Sequence, residues 1–86
     1  MTVWKYSLNV TDLQTLKMPI GAEMLHVNLQ GGALCLWAKV DPSRSITDRR
    51  IRIIGTGHDV ENLPLVYIGT VLAAGGQLVW HVFEQP

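Results

Sequence analysis

Charge is scarce in this chain of 86 residues. Asp, Glu, Lys and Arg make up 16% of it, against about 25% in an average soluble domain. The seven basic and seven acidic residues cancel. With no basic excess, a general electrostatic grip on DNA or RNA is not expected. With no acidic excess, mimicry of nucleic acid is not expected either. Cys35 is the single cysteine, so no intramolecular disulfide can form, which fits a reducing compartment. No apolar run approaches the ~20 residues of a membrane-spanning helix. The opening MTVWKYSLNV lacks a charged start followed by an apolar core, so it does not read as a signal peptide. The expected location is the cytoplasm, without membrane attachment.

Recognisable catalytic and metal-binding spacings are missing too. His26, Cys35, His58 and His81 fall on four separate segments, with no CxxC or HxH pair, so no metal site is expected. Nothing local brings a Ser or Cys to a His and an orienting acid, and no carboxylates are paired. GTGH at 55–58 is not a P-loop: the glycine spacing differs and no Gly-Lys-Ser/Thr follows. No catalytic residue, metal or cofactor is therefore assigned, and the chain reads as a non-enzyme.

What is abundant is apolar alternation. Hydrophobic residues make up 48%, more than so small a core hides easily, which suggests a buried interface in a homodimer or homotetramer. The dominant period is two. WKYSLNV sets Trp4, Tyr6, Leu8 and Val10 on one face. LQTLKMP reads as a second short strand before Pro19; a one- or two-turn helix capped by Thr11 or Asp12 is the alternative. GAEMLHVNL sets Leu25, Val27 and Leu29 against Met24, His26 and Asn28. After the turn at Gly31-Gly32, ALCLWAKV sets Leu34, Leu36, Ala38 and Val40 against Cys35, Trp37 and Lys39. RRIRIIGT opposes Ile51 and Ile53 to Arg50, Arg52 and Ile54. LVYIGTVL and LVWHVFE follow, joined by a glycine turn. The last is apolar on both faces, as a central or interfacial strand is. The whole reads as one all-β domain over residues 1–86: a meander-rich barrel or sandwich of six to seven short antiparallel strands, with little helix.

Arg44, Arg49, Arg50 and Arg52 form the one basic cluster. Arg50 and Arg52 share a strand face and suit a phosphate or carboxylate, unless Asp41, Asp48 or Glu84 pairs with them. The small residues of GTGH would let backbone N–H groups approach an anion, with Thr56 adding a hydroxyl; the plainer reading is a turn after the strand. Trp37 shares its face with Cys35 and Lys39, so its ring is expected to be half exposed beside a cation, an arrangement that stacks a nucleobase.

MPIGAEML (18–25), LCLWAKVDP (34–42), IIGTGHDV (53–60), YIGT (67–70) and GGQLVWHVFE (75–84) together resemble, in order and over nearly the whole chain, a family of small phage and prophage proteins without an assigned activity. Small phage proteins of this size and oligomeric habit include the anti-CBASS sponges, which sequester cyclic oligonucleotide immune signals without cleaving them. The resemblance implies a similar role, although no ligand motif transfers residue by residue. A sponge needs base stacking, cations for phosphates and polar groups for base edges. Trp37, Lys39, Arg50, Arg52, Thr56, Gly57 and His58 supply these, and a cyclic di- or trinucleotide at a two-fold interface is the expected ligand. Two rival readings remain. One is a phage inhibitor that binds a host protein through exposed Trp4, Trp80 and Phe83. The other is a structural or accessory phage protein.

Overall fold

The computed structural model describes residues 1–86. Seven strands follow one another: β1 (Thr2–Ser7), β2 (Leu13–Pro19), β3 (Glu23–Gln30), β4 (Ala33–Val40), β5 (Ile46–Gly55), β6 (Val66–Ala73) and β7 (Leu78–Gln85). One 3₁₀ turn at Ala74–Gly76 is the sole helical element. The segment from Thr11 to Met18 is strand from Leu13 onward, so the helical alternative there fails. Leu16 and Met18 are buried at spacing two, and that burial suits a pleated strand better than a helix face.

Two antiparallel sheets result, with strand orders β1-β4-β3 and β2-β5-β7-β6. They form an open sandwich, not a closed barrel. The fully buried Leu36, Ala38 and Val40 of β4 belong to the same core as Met18 of β2, Ile51 of β5 and Val82 of β7. Each Leu, Ile, Val or Met side chain so buried contributes ~1.5–3 kcal/mol. β7, apolar on both faces, lies inside its sheet between β5 and β6.

Two local devices set the strand faces. Gly31 and Gly32 have φ of 58° and 81° between the paired residues Gln30 and Ala33. That is a two-residue hairpin in which both central positions are left-handed, as a type I′ turn requires. Farther along β3 the register shifts between Met24 and His26. This bulge corrects the simple alternation of GAEMLHVNL. Met24 packs on the core with Val27 and Leu29, while Leu25 turns out to solvent at 45% exposure. A second bulge shifts β6 between Tyr67 and Gly69. β3 crosses β6 closely there: a Cβ on Gly69 would lie 2.8 Å from Val27 Cγ2.

Candidate functional site

Cross-strand register decides which side chains share a surface. In the four-stranded sheet the rows run Tyr67–Phe83–Arg52–Leu13, then Thr70–His81–Ile54, with Arg50 beside Gln85. Their alternates Ile51, Ile53, Val71 and Val82 are in the core, so these rows point outward. The outer face of this sheet therefore carries two aromatic rings, an imidazole and two guanidiniums.

A hydrogen-bonded chain crosses that face. His81 Nε2 lies 2.8 Å from Thr56 Oγ1, and His81 Nδ1 lies 3.1 Å from Thr70 Oγ1. Thr70 Oγ1 lies 2.7 Å from the Tyr67 hydroxyl. Protons can run either way. Tyr67 can donate to Thr70 and Thr70 to Nδ1, leaving Nε2–H to donate to Thr56; reversed, Thr56 donates to Nε2 and Nδ1–H to Thr70. A protonated ring is also accommodated, because both threonine hydroxyls accept. Tyr67 packs edge-on against Phe83 with ring centres 5.7 Å apart.

Arg52 continues this surface. Its side chain is 15% exposed; Nη1 donates to Gln85 at 3.4 Å, and Nη2 lies 3.6 Å from the exposed Glu61. Its Nε is buried without a partner. Arg50 is exposed and donates to the Pro86 carbonyl at 3.1 Å. Arg49 faces the other way. It forms a bidentate pair with Glu84, one arm at 2.8 Å, and donates to the Ala22 carbonyl at 2.9 Å. The hydrogen bonds to Glu84 and its negative charge hold the guanidinium above its ordinary pKa, and it belongs to the framework.

GTGH is a turn. The His58 amide donates to the Gly55 carbonyl at 3.0 Å, and Gly57 supplies a φ of 85°. The Thr56 amide donates to Val79 at 3.3 Å. Two of the amides expected to hold an anion are thus already used. The imidazole of His58 lies over Gly55, 3.0 Å from where a Cβ would stand. It also borders three shallow depressions at this end of the sandwich, the largest about 340 Å³. The one that reaches Arg52 is walled by Asp12, Asp59 and Glu61, a poor lining for an anion.

Trp37 and Lys39 lie elsewhere. They are on the outer face of β4, in the three-stranded sheet, with Trp37 opposite Lys5 and His26. The ring is half-buried and 6.2 Å from that of His26. Half-exposure beside cations is as expected, but the sandwich places Trp37 and Lys39 on the opposite side from Arg50, Arg52 and Thr56. One chain does not assemble the seven expected residues into one site. The residues that replace Trp37 are Tyr67, Thr70, His81 and Phe83. Their signal was present in YIGT and VWHVFE, but strand pairing alone joins those stretches to GTGH.

A family model covers residues 1–86, that of a domain of unknown function, DUF7352. The chain belongs to this family. No curated protein and no solved structure matches it. In this DUF7352 domain, three of the stretches that carry the resemblance (IIGTGHDV, YIGT and GGQLVWHVFE) contribute Thr56, Thr70 and His81 to one hydrogen-bonded chain.

Proposed function

We propose that this DUF7352 domain is a non-catalytic, phage-encoded binder that sequesters a cyclic oligonucleotide signal in the host cytoplasm, using the outer face of its four-stranded sheet. The observation that carries the reading is the chain Thr56–His81–Thr70–Tyr67 on the same face of the four-stranded sheet as Phe83 and the mostly buried Arg52. Aromatic faces stack bases, hydroxyls and imidazole meet base or ribose edges, and guanidinium takes phosphate. The hydroxyl–imidazole contact at Thr56 has the look of a nucleophile and its base. However, the second ring nitrogen meets the Thr70 hydroxyl and no carboxylate, an arrangement suited to holding a ligand.

The test is a thermal-shift panel of cyclic di- and trinucleotides, with linear dinucleotides and mononucleotides as controls. At 100 Kd a ligand bound only by the folded state adds ~2.7 kcal/mol of apparent stability. Arg52→Ala and His81→Ala are expected to abolish the shift with the far-UV spectrum unchanged. Tyr67→Ala is expected to cost ~1–3 kcal/mol of binding, as a stacked base does. Trp37→Ala should leave binding intact. A flat panel, or loss of binding in the Trp37 variant alone, refutes the reading.

A further inference from the structure

Four strands lie at sheet edges: β1, β3, β2 and β6. An open edge offers unpaired N–H and C=O groups to any other strand, and proteins guard against this with charge, proline or bulges. β1 carries Lys5, β2 carries Lys17 and Pro19, and β3 carries Glu23 and its bulge. β6, VYIGTVLA, carries no charge and no proline, and past its bulge at Ile68 the stretch Gly69–Ala73 is regular. From Asn62 to Phe83 there is no Asp, Glu, Lys or Arg at all. Leu72, at 63% exposure, is the most exposed large hydrophobic residue of β6.

We infer that β6 is the interface between two copies of this chain, pairing antiparallel about a two-fold axis through the Gly69–Ala73 stretch. Charge favours a second copy as the occupant. In a two-fold contact each residue meets the same surface it belongs to, so a charge near the axis faces its own like. A strand neutral throughout pairs with itself without that repulsion, while offering nothing to attract a charged partner. Pairing there joins the two four-stranded sheets into one of eight strands. β6 also carries Tyr67 and Thr70, so the two outer faces adjoin across the axis and the halves of one symmetric site come together. This deepens the sequestration reading and rests on it only for the ligand: a cyclic dinucleotide has two bases and two phosphates related in the same way.

Sedimentation equilibrium of the full chain over a wide concentration range tests the interface. The expected mass is twice the 9.6 kDa of the chain, falling to one chain in Leu72→Lys with its melting transition retained. Ile46→Lys, at another exposed apolar position, should leave the dimer intact. Should Leu72→Lys fail to fold, hydrogen exchange on the unaltered protein decides. Amides of Gly69–Ala73 that face away from β7 should gain protection with concentration. A monomer at every concentration, a dimer that survives Leu72→Lys, or exchange in β6 independent of concentration overturns the inference. The two readings fail separately. A monomer that binds a cyclic nucleotide removes the interface alone, and a dimer that binds none removes the ligand alone.

Discussion

Tyr6 packs its ring on the core from β1, and its hydroxyl is buried without a partner. Tyr6→Phe removes an unsatisfied polar atom and keeps the ring, so stability should hold or rise by up to ~1 kcal/mol in thermal melts. Burial also raises the phenol above its ordinary pKa. The folded state keeps the proton longer than the unfolded chain does. The stabilisation is therefore complete below pH ~10 and lost as pH rises through the folded value. Alkaline melts of the Phe variant should lack that part of the decline. Gly69 is constrained from the other sheet. Its φ is ordinary, but an added methyl would meet Val27 Cγ2 at 2.8 Å, on a β-branched side chain that cannot swing away. Gly69→Ala should cost ~1–3 kcal/mol by denaturant unfolding. With Val27→Ala already present it should cost much less, because the obstructing methyl is gone.

Among the elements, β5 shows both the reach of alternation and its limit. Ile51 and Ile53 in, Arg50 and Arg52 out, follows from a period of two, and the strand obeys it. The same period turns Arg49 inward, where β7 presents Glu84, and no local pattern identifies that partner 35 residues away. The pair is four-fifths buried on both sides. Removing one member strands the other, so Glu84→Ala should cost about 1–3 kcal/mol, less than a wholly dry pair because some solvent reaches it. The double variant Arg49→Met/Glu84→Leu should recover most of the loss in the same unfolding assay. β3 is the counterexample to simple alternation. Its bulge moves Leu25 out and Met24 in, and nothing in GAEMLHVNL marks the extra residue. The Gly31-Gly32 turn, by contrast, was legible, because paired glycines between two alternating runs leave few other conformations.

At the scale of the whole molecule, the two sheets decide the site. Composition, a period of two and glycine punctuation settled an all-β domain, its strand segments, the core faces of regular strands such as β4 and β5, and the absence of a membrane-spanning helix. These are local quantities: each side chain alternates with its neighbours, and burial follows. Which strands pair is not local. Within the order β2-β5-β7-β6, the pairing of β5 with β7 brings Thr56 to His81 across 25 residues of sequence, whereas His81 meets Thr70 within the β6–β7 hairpin. The same topology sets Trp37 and Lys39 on the far side of the sandwich from Arg52. The sequence by itself held the residue types for stacking, hydrogen bonding and anion contact. Tertiary structure chose which of them meet, because register across a sheet is fixed by the packing of both its faces.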